Sequence, residues 1–198
     1  MTLVFATTNP GKLSELRGLL GSDFDVRSLS DFPPFPAVEE DGETFAQNAE
    51  KKALACARAT GLPSLADDSG LCVDGLGGRP GVHSARYAPG DDRDRVHALL
   101  AELAQLGVAG EGRRAHFACA LSIALPDGRV WTELGRCDGE ISAAPRGEGG
   151  FGYDPVFWLP ELNRSMGELS REEKAALSHR GRALRAMLPR LHELESSI

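Results

Sequence analysis

The chain has 198 residues, 41% hydrophobic and 26% charged, a balance that excludes a disordered, collagen-like or coiled-coil protein. That length suits one sizeable domain, or two small lobes around one cleft, able to hide roughly 70% of its unfolded surface without disulfide or metal staples. Twenty-two basic against twenty-nine acidic residues leave a net charge of −7, the wrong sign for coating nucleic acid, and no apolar run nears the roughly 20 residues that cross a bilayer. The expectation is a cytoplasmic protein with neither a nucleic acid nor a membrane as partner.

In chain order, residues 3–6 read as a buried strand that ends at Thr7-Thr8-Asn9. Asn9 followed by Pro10 is the combination of N-cap and first helical residue that starts a helix, and Leu13, Leu16, Leu19 and Leu20 continue it until Gly21. A short strand at 26–29 precedes a proline-rich loop and the acidic Glu39-Glu40-Asp41. Thr44 and Gln47 form a capping box for a helix that Gly61 closes. Residues 64–67 and 70–74 read as two strands with a break between them at Asp68-Ser69. Residues 75–81 read as a glycine-rich loop, and Asp91 caps a helix with an apolar stripe of Val96, Leu99, Leu100, Leu103 and Leu106. Alternation over 115–125 predicts a long half-buried strand, turned by Pro126-Asp127-Gly128 into a returning strand. After glycine-rich 147–152 comes a strand at 156–159, then a Ser170/Glu173 capping box whose helix is interrupted at His179-Arg180-Gly181. Strands and helices thus mix without a strict βαβ repeat, which predicts an α/β (mixed) fold treated as one domain over residues 1–198.

Four features bear chemistry. The junction Thr7-Thr8-Asn9-Pro10-Gly11-Lys12 offers helix N-terminal amides and a lysine to an anion, though capping alone would also explain it. Glu39-Glu40 and Asp67-Asp68, if they converge, would repel unless a cation neutralises them, and magnesium takes a few carboxylates together with phosphate oxygens; solvated acidic loops are the alternative. Gly149–Asp154 sets Phe151 among glycines, as a stacking ring or as a core plug. Lys174 with Ser178-His179-Arg180 suits base or phosphate recognition, or is solvated helix charge; Lys52 either reaches phosphate or snorkels to water. Cys56, Cys72, Cys119 and Cys137 have no CxxC spacing and read as free thiols, and the remaining histidines lack metal-ligand spacing.

Taken in order, Thr7–Lys12, Glu39-Glu40, Leu65-Ala66-Asp67-Asp68-Ser69-Gly70-Leu71, Leu76-Gly77-Gly78-Arg79-Pro80-Gly81, Ser84-Ala85-Arg86-Tyr87, Gly149–Pro155 and Ser178–Gly181 resemble the inosine triphosphate pyrophosphatase family along nearly the whole chain. The resemblance implies a two-lobed fold with a long curved mixed sheet flanked by helices, a central nucleotide cleft, and a homodimer. It implies hydrolysis of ITP, dITP and XTP to the monophosphate and pyrophosphate, with Mg2+ as cofactor. By the same resemblance, Thr7, Thr8, Asn9, Pro10, Gly11, Lys12 and Lys52 bind the triphosphate, and Ser69 touches substrate. Asp68 is the proton acceptor and a metal ligand, with Glu39 or Glu40, preferably Glu40, as the other acidic metal ligand. Phe151, Gly152, Tyr153 and Asp154 form the purine-stacking segment, and Lys174, His179 and Arg180 lie on the base side. The spacing at Leu162-Asn163-Arg164-Ser165 departs from the family pattern. The rival readings are a Maf-like pyrophosphatase of different base preference and a nucleotide-binding regulator without turnover.

Overall fold

Asn9 starts the first helix by the means its sequence predicts: its side-chain oxygen accepts from the amides of Gly11 (2.9 Å) and Lys12 (3.2 Å), and Pro10 fills the first position, where no amide is needed. In the computed structural model, which describes residues 1–196, the regular elements are β1 (Thr2–Phe5), α1 (Pro10–Leu20), β2 (Asp25–Ser28), α2 (Phe45–Thr60), β3 (Ser64–Val73), α3 (Asp92–Gln105), β4 (Arg114–Ala124), β5 (Val130–Ile141), β6 (Phe157–Leu159), β7 (Arg164–Ser165), α4 (Arg171–Leu177) and α5 (His179–Ser196). The seven strands form one sheet in the order β2-β1-β3-β4-β5-β6-β7. It is mixed: β1 runs parallel to β2 and β3, while β6 is antiparallel to β5 and β7. The fold is therefore α/β with a mixed sheet and flanking helices. Among the described residues no helix is long and apolar enough to cross a membrane.

The capping boxes at Thr44/Gln47 and Ser170/Glu173 both form, and Gly61 ends α2 in the left-handed conformation. Four expectations need correction. Residues 64–67 and 70–74 are not two strands but the single strand β3, which runs unbroken through Asp67-Asp68-Ser69. The helical interruption falls at Ser178, whose extended backbone (ψ 154) ends α4, so His179, Arg180 and Gly181 open α5 instead of lying in the break. The strand β4 alternates only in its first half; from Cys119 onward it is buried on both faces, as a central strand covered on each side must be. Leu106, expected on the α3 stripe, is 56% exposed because the helix ends at Gln105.

The chain divides into two units. The first comprises residues 1–68, 119–135 and those from His179 onward. Its core joins Leu3 and Phe5 of β1, Leu16 of α1, Leu65 of β3, Leu121 and Ile123 of β4, and Leu184 and Met187 of α5. The second comprises residues 69–118 and 136–178, with a core of Leu71, Val73, Leu99, Phe117, Phe157 and Met166. In it, the Arg113 guanidinium closes the end of β5 by donating to the carbonyls of Ile141 (2.7 Å) and Ser142 (2.8 Å). All four cysteines are free, three buried and Cys72 half-buried.

Candidate active site

The continuity of β3 decides the electrostatics of the first unit. Successive side chains on a strand point to opposite faces, so adjacent Asp67 and Asp68 cannot share one environment. Asp67, 2% exposed, receives Lys12 (3.0 Å) and both Nε (3.1 Å) and Nη2 (2.9 Å) of Arg180 on one oxygen. Burial pushes its carboxyl up, but the charges of Lys12, Arg180 and Lys52 outweigh that and hold it well below the usual carboxylate range. Asp68, 6% exposed, accepts from the Asn48 amide at 2.9 Å and has Lys52 at 3.7 Å. Here burial wins: with Lys52 and Asn48 pulling down and Glu40 pushing up, the Asp68 carboxyl lies above its ordinary value. Two neighbouring carboxylates whose environments drive them apart are the usual signature of one fixed charge and one proton acceptor.

Lys52 also pairs with Glu40 at 2.7 Å, so its ammonium is flanked by Glu40 and Asp68. Glu39 beside it is exposed, which turns the acidic loop towards Lys52 through Glu40. Helix spacing makes this arrangement possible: Asn48 and Lys52 stand four residues apart on one face of α2. Asn48 was not anticipated, although that spacing from Lys52 was a usable signal. Glu15, three residues after Lys12 on α1, was missed in the same way; it binds Nη1 of Arg180.

In the Thr7–Lys12 turn, Thr7 Oγ1 accepts from the Asn9 amide at 3.1 Å, and Asn9 occupies the amides of Gly11 and Lys12. The Asn9, Gly11 and Lys12 amides of this turn are thus already engaged, Thr8, Asn9 and Pro10 are exposed, and the Lys12 ammonium is the full charge the turn presents. Arg180, expected on the base side, is 1% exposed and has carboxylate partners; His179 beside it is also buried. A guanidinium so deeply buried requires such pairing.

The second unit holds Ser69, half-buried on β3, and the other expected group. Asp154 Oδ2 accepts from the Phe151 amide (2.9 Å) and from Lys174 Nζ (2.6 Å), and that ammonium lies 4.4 Å from the centre of the Phe151 ring. Phe151 is half-buried and not a core plug, since one face carries a cation while the ring stays partly open. Tyr153 is buried and its hydroxyl donates to the Ser84 carbonyl at 2.9 Å. Phe151, Asp154 and Lys174 therefore come together, while His179 and Arg180 lie with the first unit.

The family model of the Ham1 family matches residues 3–190. The chain belongs to the Ham1 family. Among curated Ham1-like relatives, a dITP/XTP pyrophosphatase of Streptomyces coelicolor is 50% identical over 197 residues, covering 97% of this chain and 98% of its own. One of Geobacillus kaustophilus is 53% identical over 185 residues, covering 92% and 90%. A solved Ham1 protein from Coxiella burnetii superposes with a TM-score of 0.87 at 38% identity, covering 98% of this chain and 99% of that one. The family reached from the ordered motifs is thus the family these comparisons identify.

Proposed function

We propose that this Ham1-family chain is a pyrophosphohydrolase of non-standard purine nucleoside triphosphates, releasing pyrophosphate and a monophosphate from dITP, XTP and ITP. Relatives about half identical over nearly their full length carry the name dITP/XTP pyrophosphatase. The observation that carries the chemistry is Asp68: buried, held by Asn48, and raised above the ordinary carboxylate value beside Lys52. A carboxylate raised in this way is a better proton acceptor than an ordinary one.

In this reading Asp68 orients a water and takes its proton as the oxygen attacks the α-phosphorus; the bond from that phosphorus to the bridging oxygen breaks, and pyrophosphate departs. Lys12 and Lys52 bind the triphosphate oxygens and offset their charge against a protein of net charge −7. Glu40 and Asp68 are hard oxygen donors around a position already taken by an ammonium, the donor set and charge that suit a Mg2+ ion bound by one or two carboxylates. When bound, that ion supplies Lewis-acid polarisation of the phosphates and charge neutralisation. Phe151 stacks on the purine, and Lys174, fixed by Asp154, donates to a 6-oxo group; a 6-amino group leaves that donor unmet, which disfavours ATP.

The test is a panel of nucleoside triphosphates assayed separately for pyrophosphate and orthophosphate. Pyrophosphate from ITP, dITP and XTP at about tenfold or more the efficiency of ATP and GTP is expected. Orthophosphate as the product, or equal rates on all five, overturns the reading. A homodimer belongs to the same proposal and is checked by light scattering; a reducing, cytoplasmic location accords with four free thiols.

A further inference from the structure

The Phe151 ring sits on a turn that its own residues only partly fix. Gly150 (φ 76) and Gly152 (φ 63) flank it in the left-handed region, where the backbone has many alternatives in the unligated chain. Two clamps come from within the motif: Asp154 on the Phe151 amide, and the Tyr153 hydroxyl on the Ser84 carbonyl. A third comes from outside it. Asp92, the first residue of α3, accepts the Gly152 amide on Oδ2 at 2.6 Å across 60 residues of sequence.

That amide belongs to the peptide plane joining Phe151 to Gly152, so holding it restrains ψ of Phe151 and with it the backbone from which the ring hangs. The other oxygen of Asp92, Oδ1, binds Arg95 one turn along the helix, and Arg95 also donates to the Gly90 carbonyl at 3.0 Å. The two carboxylate oxygens thus divide, one to the helix and one to the turn. A short bond from an amide to a carboxylate is of the stronger, charge-assisted kind.

We propose that Asp92 is a positioning residue for base recognition, holding the Phe151–Gly152 peptide so that the ring is set before the purine arrives. This rests on the reading of Phe151 as the stacking platform. The alternative is that Asp92 serves only the start of α3, as an acidic residue in its first turn, where negative charge is favoured.

Steady-state pyrophosphate release from ITP by the full chain separates the two, using Asp92→Ala, Asp92→Asn, Arg95→Ala and Phe151→Leu. Asp92→Ala is expected to raise KM about 3- to 10-fold with kcat within about twofold, the pattern of lost binding common to ground and transition state. Asp92→Asn keeps an oxygen acceptor for the Gly152 amide and is expected to stay within about twofold of the parent KM. Arg95→Ala removes the ion pair at the helix start while leaving the turn bond, and is expected to leave KM unchanged. An unchanged KM in Asp92→Ala, a KM rise shared by Arg95→Ala, or no rescue in Asp92→Asn overturns the proposal. Phe151→Leu keeps the two failures apart: if it leaves KM for ITP unchanged, the stacking reading itself falls, whereas a raised KM there beside a flat Asp92→Ala removes only the role of Asp92.

Discussion

Asp67 and Asp68 are adjacent, chemically identical and buried, yet the fold shifts their carboxyls in opposite directions. Three cations lower one, while burial with weaker compensation raises the other. Replacing Asp68 by Asn is expected to lower kcat by roughly 10²–10⁴ in a pyrophosphate-release assay, the range over which a positioned proton acceptor acts. The same change has a stability consequence of opposite sign. A carboxyl raised on folding favours the native state below its unfolded value and disfavours it progressively as the pH rises. Chelator-treated Asp68→Asn is therefore expected to melt above the parent at pH 7, the difference closing as the pH falls towards 3.8, the ordinary carboxylate value, and absent below it. Asp67→Asn has the reverse sign: its lowered carboxyl contributes stability above 3.8 that is lost as the pH falls towards its folded value. Urea unfolding at pH 7 is expected to show a loss of about 3 kcal/mol, since the change leaves buried Arg180 short of a partner, and that loss is expected to shrink in acid.

At the scale of elements, β3, α1, α2 and α5 each contribute one or two side chains to the first unit's charged cluster, so its geometry depends on how closely they pack. The tightest approach is at Gly135 on β5. A methyl group there would stand 1.9 Å from the His179 carbonyl and 2.6 Å from the Ala183 amide, both backbone atoms of α5. Gly135→Ala must push the start of α5 off the strand, and His179 and Arg180 move with it. A destabilisation of about 3 kcal/mol in urea, with reduced turnover, is the expected outcome. Helix starts were legible from sequence because a cap is local chemistry: Asn9-Pro10, Thr44 with Gln47 and Ser170 with Glu173 all form as read. The Asp-Asp-Ser-Gly stretch was misread as a break for the converse reason. Its residues favour turns when solvated, but two buried carboxylates with cationic partners sit in a strand without difficulty.

For the molecule as a whole, each unit has its own apolar core, and no group of three or more metal-ligating His, Cys, Asp or Glu side chains is gathered among the described residues. The proposed chemistry, for its part, draws on Mg2+. Exhaustive chelation is expected to abolish pyrophosphate release and leave the far-ultraviolet circular dichroism spectrum and cooperative melting intact, with activity returning on addition of Mg2+. Loss of the melting transition on chelation would instead mark the ion as structural.

By itself the sequence determined the mixed α/β class, the helix caps, the free thiols and, through the order of its motifs, the family. Each of these is written in short stretches of chain or in their succession. The tertiary structure alone decided which of two adjacent aspartates is a fixed charge, that Asn48 supports the other, that Arg180 turns to Asp67 and Glu15, and that Asp92 reaches Gly152. These depend on burial and on partners up to 165 residues away, and a side chain's charge state follows from what surrounds it in space.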